Sequence, residues 1–65
     1  MTVGEKIKAA RKAKGLSQRK VAELLGVSQP VYHAWEHGDG VPSWARMKTI
    51  ALVLGVSLDE LAREE

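Results

Sequence analysis

A chain of 65 residues with a formal charge of +2 and no cysteine has room for one domain and no thiols for a disulfide framework or a thiolate zinc site. At this size one core buries only about 60% of the unfolded surface, so stability has to come from packed apolar side chains and well-capped helices. No apolar run approaches the ~20 residues that cross a bilayer, and no apolar h-region opens the chain, so a soluble, cytoplasmic protein without a membrane partner is expected.

In chain order, Thr2-Val3-Gly4-Glu5 is a capping box opening a first helix over about residues 3–14, with Ile7 and Ala10 as a weak apolar stripe. Three junctions then share one pattern: Gly15-Leu16-Ser17, Gly26-Val27-Ser28 and Gly55-Val56-Ser57. Glycine suits the left-handed position that ends a helix, and serine suits the N-cap that starts the next. The apolar residue between them can staple to N4, which is Val21, Tyr32 or Leu61. A second helix follows over about 18–25, with Val21, Leu24 and Leu25 as its stripe, and a third over about 29–37. Ser43 caps a fourth over about 44–54, where Met47, Ile50, Ala51 and Leu54 stand at i, i+3, i+4 and i+7. Ser57-Leu58-Asp59-Glu60 reads as a second capping box, opening a fifth helix over about 58–63. No segment alternates with period 2, so residues 1–65 read as one all-α, five-helix domain.

Charge is uneven along the chain. Residues 1–38 carry seven basic and three acidic side chains, +4, whereas residues 39–65 carry three and five, −2. One half can face a polyanion, although a solvated helix surface explains the same numbers. The third helix is more specific. At about 100° per residue, Val31, Tyr32 and Trp35 gather inward, Gln29, Pro30, His33, Ala34 and His37 gather outward, and Glu36 lies at the border. Glutamine can bond an adenine edge bidentately, and histidine can donate to guanine N7. With a short glycine-containing turn before it, this helix is placed as the second of a helix-turn-helix.

Leu16-Ser17-Gln18, Val21-Ala22-Glu23-Leu24-Leu25-Gly26-Val27-Ser28-Gln29, Trp35-Glu36-His37-Gly38, Pro42-Ser43 and Ala51-Leu52-Val53-Leu54-Gly55-Val56-Ser57-Leu58-Asp59-Glu60-Leu61 together resemble the Cro and lambda-type repressor (XRE-like) family. The likeness runs in one register over nearly the whole chain. It implies a lambda-repressor-like fold and a transcriptional regulator, in most such proteins a repressor. It further implies that such a protein binds double-stranded DNA at a palindromic operator as a homodimer, without a cofactor. By the same resemblance Gln29 reads a base, and Pro30, His33 and Ala34 fall on further groove-facing positions. Gln18 bonds a phosphate and braces Gln29, while Arg11 and Glu36 form a partly buried salt bridge. Trp44, Val56, Leu58 and Ala62 fall where the dimer contact is expected. One departure is the loop His37-Gly38-Asp39-Gly40-Val41-Pro42, which lacks the Lys or Arg of many relatives. A phosphate anchor there falls to Ser43, to backbone N–H groups or to His37, with Lys8, Arg11, Lys12 and Arg19 as the remaining phosphate candidates. Ala34 offers only a methyl group, suited to a thymine methyl.

Two other readings compete. A DNA-binding antitoxin paired with a toxin differs only in its partner, and the chain reaches Arg63-Glu64-Glu65 without a dedicated toxin-binding tail. His33-Ala34-Trp35-Glu36-His37 also matches the H-x-x-E-H pattern of zinc hydrolases. That reading lacks a third ligand and room for a protease domain, and Arg11 accounts better for Glu36, so neither enzyme activity nor a functional metal is expected.

Overall fold

The computed structural model describes residues 2–63; Met1, Glu64 and Glu65, and with them the chain end considered for a partner-binding tail, lie outside the described residues. Five helices follow one another: α1 (Val3–Ala13), α2 (Gln18–Leu25), α3 (Gln29–His37), α4 (Trp44–Leu54) and α5 (Leu58–Ala62). Among the described residues there is no strand. Every helix begins at a hydroxyl. Thr2, Ser17, Ser28, Ser43 and Ser57 each accept from the backbone N–H three residues on, filling one of the donors a helix start leaves open. At Thr2 the box closes both ways, and the backbone N–H of Thr2 holds the Glu5 carboxyl below the usual range. At Ser57 only the Glu60 N–H to Ser57 Oγ half forms, at 3.1 Å.

The helix ends obey the same economy. Val27 N–H reaches back to Ala22 O at 3.0 Å and Val56 N–H to Ala51 O at 3.0 Å, closing the last turn with six-to-one bonds. Gly26, at φ +72°, supplies the left-handed residue that lets α2 stop and α3 start only three residues later. Arg46 Nη1 on α4 donates to Leu25 O at 3.0 Å, so the last residue of α2 has a second tether.

Ile7, Val21, Ala22, Leu25, Tyr32, Met47, Ile50, Ala51, Leu54 and Leu61 form one buried cluster, with Leu16, Val27 and Val56 packed against it as the staples require. α1 packs on α3, α4 and α5, and α2 packs on α3 and α4. Two expected core positions fall outside. On α2 the buried arc is Val21, Leu25 and small Ala22, which lie within about 100° of one another, and Leu24 on the far side of Val21 is 50% exposed. On α3, Val31 is 44% exposed because it lies about 100° from the Tyr32 direction that points inward.

Gly4 is buried in the first turn of α1 for a reason its place in the capping box does not reveal. A Cβ there would lie 2.7 Å from Glu36 O, and closer still to Trp35 O. The backbones of α1 and α3 therefore meet without a side chain between them, which fixes the height of the third helix against the first. Gly→Ala inside a helix ordinarily stabilises by roughly 0.5–1 kcal/mol. Here Gly4→Ala is expected to reverse that sign and cost about 1–3 kcal/mol, as overpacking does. Urea unfolding of the two proteins checks it, and a stabilised variant would show that the helices separate freely.

Candidate nucleic-acid interface

The geometry of α3 rests on a charge pair beneath it. Arg11 Nε donates to Glu36 Oε2 at 2.7 Å and Arg11 Nη2 to Glu36 Oε1 at 3.3 Å, with the two residues 9% and 6% exposed. Arg11 Nη1 donates to Leu16 O at 2.8 Å, so the guanidinium also braces the turn entering α2. Gln18 Nε2 at the start of α2 donates to Glu36 Oε1 at 3.0 Å. One carboxylate thus joins α1, α2 and α3. Burial alone would raise the Glu36 carboxyl, but hydrogen bonds from Arg11 and Gln18 and the facing Tyr32 hydroxyl outweigh it and hold it below the usual range. The hydrogen bond to Glu36 in turn raises Arg11. The Tyr32 hydroxyl has no hydrogen bond of regular geometry, and burial, then Glu36, push the phenol well above its ordinary pKa.

This arrangement bears on two expected roles. Arg11 bonds both Glu36 and Leu16 O and is buried, so most of its donors are committed inside the protein. Glu36 is held between Arg11 and Gln18, which accounts for the carboxylate within His33-Ala34-Trp35-Glu36-His37 as a structural group. Gln18 braces the carboxylate of Glu36, where the resemblance had paired it with Gln29. Gln29 and Glu36 stand seven residues apart on nearly the same side of α3, so the sequence pattern alone does not distinguish those two partners.

On the outer side, Gln29, His33 and His37 form a stripe at i, i+4 and i+8, and all three are exposed. Gln18, Gln29, Pro30 and His33 line an open concavity of about 340 Å³, while Ala34 is half-buried beside it. Trp35 is half-buried and meets Tyr32 edge-on, with ring centroids 6.3 Å apart at 77°, so the aromatic side of α3 is the anchored side. Lys8 and Lys12 are exposed on α1, with Lys8 one turn from both Gly4 and Arg11 and so next to the seam with α3. Arg19 lies 3.6 Å from Glu23, an exposed pair that a phosphate can displace at little cost. Ser43 is exposed, but its oxygen already accepts from Arg46 N–H at 3.3 Å.

Of the residues expected at a dimer contact, Trp44 is 59% exposed at the start of α4, while Val56, Leu58 and Ala62 are half-buried, the last two on α5, which packs on α4. Leu52 on α4 is 82% exposed.

Glu36→Ala leaves Arg11 buried without its partner and is expected to cost about 3–5 kcal/mol, a large share of the stability of a domain this small. Tyr32→Phe removes a buried hydroxyl that meets Glu36 without regular hydrogen-bond geometry, and is expected to change stability by less than about 1 kcal/mol. Because the folded pKa of Glu36 is depressed, its contribution is present above the unfolded carboxylate's pKa and fades as pH falls through the folded value. Denaturant unfolding between about pH 7 and pH 2 should show that acid loss in the wild type and less of it in Glu36→Gln.

The helix-turn-helix family model matches residues 7–61. The uncharacterized HTH-type transcriptional regulator YazB of Bacillus subtilis is 42% identical over 62 residues, covering 95% of this chain and 90% of the relative. Other curated relatives are longer: the chain spans 53% of regulator YqaE of Bacillus subtilis and 32% of activator BcrR of Enterococcus faecalis. Among solved structures, the P22 c2 repressor in complex with a synthetic operator matches with a TM-score of 0.91 at 26% identity, covering 100% of this chain and 98% of that one. SinR, the master regulator for biofilm formation, in complex with DNA matches with a TM-score of 0.88 at 32% identity, covering 95% and 100%. The chain belongs to the helix-turn-helix family of the Cro and lambda-repressor type.

Proposed function

We propose that this domain regulates transcription by binding double-stranded operator DNA with α3 in the major groove, and that it represses by occupancy. The observation that carries the reading is the exposed Gln29–His33 edge of α3. It borders a concavity shared with Gln18, whose amide also holds the buried Glu36 that anchors the helix. Neutral donor–acceptor side chains suit base edges, whereas a merely solvated face is served equally well by Lys and Glu. Its structural relatives include a repressor bound to operator and a regulator bound to DNA, which supports the same function here.

In this mechanism Gln29 and His33 read bases, Pro30 and half-buried Ala34 shape the contact, and Gln18, Lys8, Lys12, Arg19, His37 and Ser43 hold phosphates. Phosphate contacts fix register and supply most of the affinity, while the base contacts supply the choice of site. One helix with two reading side chains discriminates weakly, each good contact being worth about 1–3 kcal/mol. A homodimer through Trp44, Val56, Leu58 and Ala62 doubles the footprint on a palindrome. A molecule of 27 × 23 × 20 Å is small enough for two copies to sit side by side on half-sites one DNA turn apart, ~34–36 Å. Such a regulator works in the cytoplasm, and no helix among the described residues is long and apolar enough to cross a membrane.

Gln29→Ala is expected to weaken binding to a selected site by roughly 5- to 150-fold while leaving random-sequence binding nearly unchanged. A uniform loss on both duplexes would reassign Gln29 to the backbone and remove the central support for this reading. Arg19→Ala is expected to lower the slope of log affinity against log salt by about 0.9, the signature of one lost phosphate contact.

A further inference from the structure

His33 and His37 face the same way on α3, with ring centroids 4.1 Å apart and planes tilted by 34°. Both are exposed. The turn that carries them is held rigidly from below, because Glu36 is bonded to Arg11 and Gln18 and Gly38 closes the helix end through Ala34 O and Trp35 O. We infer that these two imidazoles form a chelating site for a divalent transition-metal ion, one per chain, whose occupancy weakens base selection by α3.

The chemistry fits that class of ion. Zn–N bonds of about 2.0–2.1 Å on a tetrahedral ion place two ligand nitrogens about 3.3 Å apart. Rings with centroids 4.1 Å apart reach that spacing by side-chain rotation alone, and the backbone at i and i+4 already has the required separation. Imidazole ligands favour Zn²⁺, Ni²⁺ and Cu²⁺ over Mg²⁺ or Ca²⁺, which prefer oxygen. No third His, Cys, Asp or Glu joins the pair among the described residues, so the remaining positions on the ion are open to water or to an outside ligand. That leaves a two-ligand site suited to reversible occupancy rather than to a structural or hydrolytic zinc.

Occupancy acts on DNA in two opposed ways. The added positive charge favours any duplex alike. The ring nitrogen of His33, once bound to metal, is lost to base reading, and that loss falls only on the preferred site. The quantity that moves is therefore the ratio of selected-site to random-site affinity. This second consequence rests on the proposed reading of α3, whereas metal binding itself does not.

The test uses untagged protein and Zn²⁺ or Ni²⁺ as the probe. Calorimetry should show one ion per chain in the wild type, with affinity at least about tenfold weaker in both His33→Asn and His37→Asn, since each variant loses the chelate advantage. The wild-type unfolding midpoint should rise with added ion and those of the variants should not. With a duplex enriched from a random pool, saturating ion should lower the wild-type specificity ratio at least about fivefold and leave the ratio of His37→Asn unmoved. Wild-type affinity for the ion retained in either variant, or no binding by the wild type, would overturn the chelate. An unchanged specificity ratio in metal-loaded wild type would overturn the coupling. Failure of the pool to yield any preferred duplex would instead count against the reading of α3.

Discussion

A single buried carboxylate organises the first three helices of this protein. Glu36 receives Arg11 from α1 and Gln18 from α2, so three helices share one electrostatic centre directly beneath the exposed edge of α3. Such a centre is costly to bury and gains much of its value from geometry: a paired charge tolerates few alternative positions. An apolar contact at the same place would let α3 rotate or slide by a fraction of a turn. A side chain reading base edges cannot absorb such a shift. Gly4 adds a steric limit from the other direction, since backbone meets backbone where α1 crosses the end of α3.

The rest of the fold follows from local rules applied repeatedly. Five hydroxyl caps and glycine-ended helices set the boundaries, and the apolar stripes do little more than choose which face turns inward. This is why the helix boundaries and most of the core were legible in the sequence. Caps and staples are short-range chemistry, written within four residues of where they act. Leu24 and Val31 were misplaced because a wheel gives direction without saying where the buried arc ends, and on α2 that arc runs from Val21 towards small Ala22 and away from Leu24. Gly4 escaped notice because its function depends on Trp35 and Glu36, more than thirty positions away. The same holds for Arg46 capping Leu25 O.

The candidate site was legible to a similar degree. The outward position of Gln29, Pro30 and His33 follows from helical periodicity alone, and the pairing of Arg11 with Glu36 followed from the resemblance. Arg11, expected at a phosphate as well, has its guanidinium directed inward to a buried carboxylate and the Leu16 carbonyl. Gln18 is the instructive case. Residue type and position made it polar and interfacial, yet its partner is decided by which acceptor lies within 3.0 Å, a fact of tertiary packing. The stacked histidines show the reverse: their spacing was visible as a pattern, and only the ring geometry gives it chemical content.

The central claim is that the exposed edge of α3 chooses bases while the Glu36 centre holds it in place. Selection of binding sites from a random duplex pool, repeated with Gln29→Lys, tests it most directly. The account predicts an enriched site with twofold symmetry and half-site centres about one helical turn apart. It further predicts that the substitution changes the preferred base at one position in each half and leaves the remaining positions intact. A pool without enrichment, or a motif identical for both proteins, would contradict it.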